Sequence, residues 1–249
     1  MSNILSVKNL SYSKLFKNMS FSIAEKSFNI LIGKNGVGKT TLLYSLLGLK
    51  SCSGEIKLKY ERKDIGIVSD FSEITKENAF SYLLQMLLDL GYDRENASKI
   101  IYNVSKKLGI ERILDINKEA LTNEEYLLVL LTHSIIHNPK LVIIDNTLDE
   151  LTETNKNNFI KYLLDMKITV ILVTNDSRYF KYSNKLLIMT PNKMEIVNDS
   201  KSISKLESLL IKNNSELPFE LELSSKLYSY GVIKEIYSSN SELVNNIWK

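Results

Sequence analysis

Gly33-Lys34-Asn35-Gly36-Val37-Gly38-Lys39-Thr40 constrains the fold of this 249-residue chain more than any other stretch. It satisfies G-x-x-x-x-G-K-[ST] at every fixed position, and its flanks agree. Phe28-Asn29-Ile30-Leu31-Ile32 reads as a short buried strand entering the loop, and Thr41 to Gly48 reads as a helix leaving it. Glycines let the backbone curl until successive N–H groups face one point. The following helix adds its positive N-terminus, and the two together cradle a polyphosphate. In such a loop Lys39 neutralises the β- and γ-phosphates and Thr40 ligates Mg²⁺. The competing explanation is a glycine-rich turn that fits by chance, against which the strand, loop and helix stand in the right order. The expected ligand is a nucleoside triphosphate; whether it is hydrolysed is a separate question.

The bulk properties narrow the remaining choices. A length of 249 residues allows one large α/β domain, or one with a small appendage. A net charge of +3 without a long basic run argues against a nucleic-acid partner. The single cysteine, Cys52, excludes a disulfide within the chain and fits a reducing cytosol. No signal-peptide pattern opens the chain, and the longest nearly apolar run, Tyr126 to Ile136, falls far short of the ~20 residues that cross a bilayer. Membrane association is therefore expected only through a partner.

Along the chain, residues 3–8 and 18–24 read as strands of an opening β layer, with Leu10-Ser11-Tyr12-Ser13 turning between them. Residues 54–59 and 64–68 read as two further strands. From Thr75 the period becomes helical: Ala79, Phe80, Leu83, Leu84, Leu87 and Leu88 recur before Gly91, and Ile100, Ile101, Val104 and Leu108 before Gly109. This segment, about 71–135, reads as a helical insertion with its own surface. Leu141 to Asp145 and Thr169 to Thr174 are continuous apolar runs of the kind covered on both faces of a parallel sheet, and 153–166 is the helix between them. Lys185 to Met189 and Met194 to Val197 suggest a late hairpin. From about residue 199 a helical tail is expected, giving a main domain over 1–198 and an extension over 199–249.

Asp145 ends an apolar strand. In proteins with this phosphate loop such an aspartate completes the Mg²⁺ site, and its strand is expected beside the one feeding the loop; an aspartate at a strand-to-loop boundary is also common without that role. With it, the order of segments over roughly 1–190 resembles the ATP-binding cassette (ABC) transporter ATPase domain. The resemblance rests on Val7 to Tyr12, Gly33 to Thr41, Ser53 to Ile56, Ile65 to Val68, Asn138 to Asp145 and Thr169 to Asp176. It implies a P-loop α/β fold with an antiparallel β subdomain and a helical insertion. It also implies ATP and Mg²⁺ as ligands. Gly33, Asn35, Gly36, Gly38, Lys39, Thr40 and Thr41 would hold phosphates, Tyr12 would stack on adenine, and Thr40 and Asp145 would hold the metal.

The same resemblance exposes departures. Where the family has a glutamate that polarises the attacking water, this chain has Asn146, an amide that cannot accept a proton at neutral pH. The γ-phosphate histidine is Asn175, the glutamine after the Ile-Gly-x-Val strand is Asp70, and an aspartate that helps pair two domains is Thr152. Leu-Ser-Gly-Gly-Gln, which caps ATP held on the opposite subunit, is Leu121-Thr122-Asn123-Glu124-Glu125. Thr122 to Glu125 reads as a capping box, so that helix end is expected to carry its own negative charge and repel a partner's ATP.

The tail pattern Leu217-Pro218-Phe219, Leu221, Leu223, Leu227, Gly231 resembles that of energy-coupling factor (ECF) transporter ATPases, where an extension helps pair two ATPase subunits; a helical cap on this chain's own core fits as well. The implied protein is a hydrolysis-impaired ATP-binding subunit at the cytoplasmic membrane face, pairing with a more complete ATPase and a membrane-spanning component. The alternative is a soluble ATP-binding regulatory or scaffold protein of the same descent. A small-molecule kinase is a third class, which the loop form and strand order disfavour.

Overall fold

The computed structural model describes residues 2–198, 219–234 and 240–247. These residues divide into two compact units. One holds residues 2–4, 24–26 and 58–172; the other holds 5–23, 27–57 and the described residues from 173 onward.

In the second unit, β1 (Asn3–Tyr12, its first residues in the other unit), β2 (Phe16–Ala24) and β4 (Ser53–Leu58) form a three-stranded sheet in the order β2-β1-β4. The expected turn at Leu10 to Ser13 is corrected: β1 runs on to Tyr12, and the chain reverses at Ser13 to Leu15. The reason is a break in alternation. Lys8 and Asn9 are both exposed with Asn9 at φ 50°, and Lys17 and Asn18 repeat this on β2 with Asn18 at φ 54°. Asn9 N donates to Ser20 Oγ and Asn18 N to Ser11 Oγ, each at 2.9 Å. The paired irregularities act as bulges that reset the pattern without ending the strands.

The same unit contains β3 (Phe28–Ile32), α1 (Lys39–Leu46), β8 (Lys185–Met189) and β9 (Met194–Val197). β3 pairs in parallel with β8, and β8 in antiparallel fashion with β9, so the late hairpin is present. Helices α6 (Phe219–Ser229) and α7 (Asn240–Ile247) pack on each other. Leu217 and Pro218 of the tail pattern lie outside the described residues; Phe219, Leu221, Leu223 and Leu227 fall on α6, and Gly231 follows it at φ 73°.

The first unit carries β5 (Ile65–Val68), β6 (Leu141–Asp145) and β7 (Thr169–Val173) with α2 (Ala79–Asp89), α3 (Arg94–Leu108), α4 (Asn123–Ile135) and α5 (Glu153–Asp165). β6 has β5 and β7 as its two neighbours, so the expectation that it lies beside β3 is corrected. Every residue of β6 and β7 is buried, as their unbroken apolar runs require. Asn78 and Asp93 cap α2 and α3 through their side chains, and Gly91 (φ 90°) and Gly109 (φ 72°) follow those helices in left-handed conformations. Among the described residues no helix is long and apolar enough to cross a membrane.

Candidate nucleotide site

The phosphate loop turns through Gly36 at φ 79° and Gly38 at φ 101°, where a side chain would be strained. A Cβ at Gly33 would stand 2.6 Å from the Met189 carbonyl oxygen, so only glycine lets the loop leave β3 at this point. Lys39 opens α1 and is 8% exposed. Its Nζ donates to the carbonyl oxygens of Gly33 at 2.6 Å and Lys34 at 3.4 Å. The ammonium thus spans the loop, where an anion on the N–H side would meet both it and the start of α1. Thr40 and Thr41, in the first turn of α1, are half-buried.

Asn175 follows β7 and faces this loop. Its Oδ1 accepts from Gly33 N at 3.4 Å, and its Nδ2 donates to Asn35 Oδ1 at 3.3 Å. One amide thus presents an acceptor to Gly33 and a donor to Asn35, two residues apart in the loop. Asn35 and Asn175 are therefore brought together beside the loop.

Tyr12, at the end of β1, is half-buried, its ring stacked on Phe16 with centroids 6.1 Å apart. Lys50 Nζ lies 5.7 Å from the Tyr12 centroid and 5.8 Å from that of Tyr44. Sequence reasoning missed Lys50, which no local pattern tied to Tyr12. It also missed Leu15 and Phe16, whose side-chain atoms would lie within 3.5 Å of a Cβ placed at Gly38.

In the other unit, Asp145 closes β6 and is 2% exposed. Asn146 leaves it at φ 58°, a left-handed conformation that asparagine tolerates better than glutamate does. Its Nδ2 donates to Asp145 Oδ1 at 3.1 Å. Asn146 therefore binds its own neighbouring aspartate. Asp70 is exposed in the turn after β5, beside Phe71, which is 74% exposed.

The capping box at α4 is present. Thr122 Oγ1 accepts from Glu125 N at 3.3 Å, and Thr122 N donates to Glu125 Oε2 at 3.0 Å. Glu124 behaves differently from expectation: it turns away from its own helix end to serve the next helix. Its Oε1 accepts from Thr152 N and from Asn155 Nδ2, both at 2.8 Å. Thr152 starts α5 without a side-chain cap of its own, so Glu124 supplies one from 28 residues away. These bonds, led by Thr152, hold the Glu124 carboxyl below the usual carboxylate range. Because the folded value is depressed, the stabilisation is present above the unfolded pKa and fades as pH falls through the folded one. A carboxyl-resolved NMR titration is expected to place Glu124 below an exposed glutamate; a midpoint at the ordinary value would remove it as the cap of α5.

The sequence profile of the family described as ABC transporter matches residues 16–149. The chain belongs to that family. Similarity to curated ABC proteins extends over almost its full length. It is 28% identical over 262 residues to the energy-coupling factor transporter ATP-binding protein EcfA1 of Ureaplasma parvum, covering 94% of this chain and 86% of that one. A zinc import ATP-binding protein, ZnuC of Ehrlichia canis, is 29% identical over 217 residues, covering 83% of this chain and 88% of the relative. Among solved structures, cbiO1 from Clostridium perfringens, part of the ABC transporter complex cbiONQ, matches at TM-score 0.70 with 22% identity, covering 85% of this chain and 97% of that one. That likeness bears out the ABC-type α/β fold. The phosphate loop, the aspartate ending β6 and the Leu121–Glu125 segment all fall within the matched profile.

Proposed function

We propose that this ABC chain is the ATP-binding subunit of an ECF-type transporter, one that holds MgATP and hydrolyses it poorly. The full-length likeness to ECF ATP-binding proteins supports the assembly, in which a membrane-spanning component and a more complete ATPase subunit are the partners. The exposed positions near Asp70 to Asn78, Asp70 and Phe71 among them, are the surface offered to the membrane component. Such a subunit works at the cytoplasmic face of the membrane, tethered by its partners.

One observation carries the hydrolytic part of this reading. Asn146, held at φ 58° with its amide on Asp145, replaces the carboxylate that would take a proton from water. In the second unit the residues present fit a nucleotide's phosphates: a glycine loop that a Cβ would block, a lysine across it and Thr40 at the helix start; in the first unit the buried Asp145 is the acidic residue that the family pattern assigns to Mg²⁺. When bound, Mg²⁺ would neutralise phosphate charge; Lys39 would share that task, and Gly36 and Gly38 would present backbone N–H groups to the phosphates. Lacking the histidine and the family signature, the site reads the γ-phosphate weakly. Purified chain is therefore expected to bind ATP and ADP within about threefold of each other, a difference under ~1 kcal/mol, with turnover below roughly 1 s⁻¹. A strong preference for ATP, or faster turnover in monodisperse protein, would overturn the proposal.

A further inference from the structure

Away from the phosphate loop, the first unit contains a cavity of about 220 Å³ that the ATP-binding reading does not use. Lys26, Lys140 and Lys167 line it, together with Tyr60, Asn138 and Met166. The segments that build it are tied to one another: Lys26 N donates to Thr169 Oγ1 at 2.9 Å, and Thr169 N donates to Lys140 O at 3.2 Å. The backbone that carries the three exposed lysines is therefore framed by these bonds.

The charge balance is one-sided. The one carboxylate in the lining, Glu25, is already engaged by Lys59 Nζ at 2.5 Å and by the Tyr60 hydroxyl at 3.1 Å. Hydrogen bonds led by Lys59 push it down to about 2, so it stays ionised and bonded. Lys26, Lys140 and Lys167 make no ion pair among the described residues. The cavity lining thus carries three exposed lysines against one carboxylate that is already bonded.

The backbone adds a second observation. Lys26 (φ 59°), Asn138 (φ 53°) and Lys167 (φ 53°) are all left-handed. Asparagine takes this conformation readily, but a lysine is strained in it, and glycine would relieve that strain. Two of the three cavity lysines thus occupy positions where backbone geometry alone would select glycine. Strain retained at a shared cavity points to a use for the side chains.

We infer that this cavity is a binding site for a small multivalent phosphate, with Lys26, Lys140 and Lys167 as its cationic clamp. The volume lies below the roughly 300–1,000 Å³ typical of drug-sized ligands, which suits a pyrophosphate-bearing metabolite rather than a polymer. Asn138 supplies an amide donor, and Tyr60 and Met166 offer a face for an uncharged appendage. The site is independent of the proposed transport role, since none of its residues belongs to the phosphate loop or to Asn146, Asn175 or Asp145.

The test uses inorganic pyrophosphate on the full chain carrying Lys39→Ala, so that the phosphate loop does not compete. Calorimetric titration and thermal melts are run at constant ionic strength. The expected result is one site per chain, with Tm raised by about 5–10 °C at 100 times the Kd. Adding Lys26→Gly, Lys140→Ala and Lys167→Gly should weaken binding at least tenfold, while the ligand-free Tm is no lower than the parent's. Lys140→Ala alone, at a position without strain, should weaken it at least threefold. Removing three exposed lysines elsewhere on the unit (Lys76, Lys106 and Lys161 to alanine) should leave it within twofold. Absence of binding to the parent, or equal losses in the cavity and control variants, would overturn the inference.

Discussion

ATP turnover is expected to rise at least about 100-fold when the family residues are restored together: Asn146→Glu, Asn175→His, Thr122→Ser, Asn123→Gly, Glu124→Gly and Glu125→Gln. The gain comes first from the carboxylate at 146, because a positioned general base is commonly worth 10²–10⁴ in rate. The complex purified from its own cells is the assay material, since the proposed function pairs this chain with a second ATPase subunit. The structure attaches a cost. Glutamate at φ 58° is strained by about 1–2 kcal/mol relative to an ordinary conformation. Removing the Glu124 side chain leaves Thr152 N and Asn155 without their acceptor, for about 1–2 kcal/mol more. Higher turnover with a Tm lowered by several degrees is the expected pair of outcomes. Unchanged turnover in a folded complex would mean that these positions do not limit hydrolysis.

The second large effect is structural. A Cβ at Gly66 of β5 would overlap the backbone oxygen of Ser134 on α4 and come within 2.9 Å of Val142 Cγ2. Neither obstacle can swing aside, because one is helix backbone and the other a branched side chain in the fully buried β6. Gly66→Ala is expected to cost about 3 kcal/mol or more, lowering Tm by roughly 10 °C in a chain of this size. Urea denaturation of the two proteins measures it; a loss under about 1 kcal/mol would show that α4 and β5 have room to separate.

The features legible in the sequence were the local ones. The phosphate loop could be read because its glycines and lysine lie within eight residues, and the geometry it needs is dictated by adjacent dihedrals. β6 and β7 announced themselves as apolar runs, and the Thr122–Glu125 box as two polar residues three apart. What escaped was set by long-range contact. Nothing near Glu124 says that it will cap a helix starting at Thr152, and nothing near Lys50 places it over Tyr12. Gly66 looked like one residue of a strand, although an interior strand glycine is itself a sign of close backbone approach. β1 was cut short because its bulge at Asn9 imitates the end of a strand. The neighbours of β6 depend on pairing order, to which hydrophobic runs are blind.

The bond from Glu124 also has a mechanical meaning. One carboxylate on α4 grips the first turn of α5, so the two helix starts share a joint and move as one lever. A partner that pushes on the Leu121–Glu125 end would swing both helices together, and the displacement would arrive at the chain running from Asp145 through Thr152 without passing through the sheet. The Leu121–Glu125 segment is thus a pin that joins two helix starts.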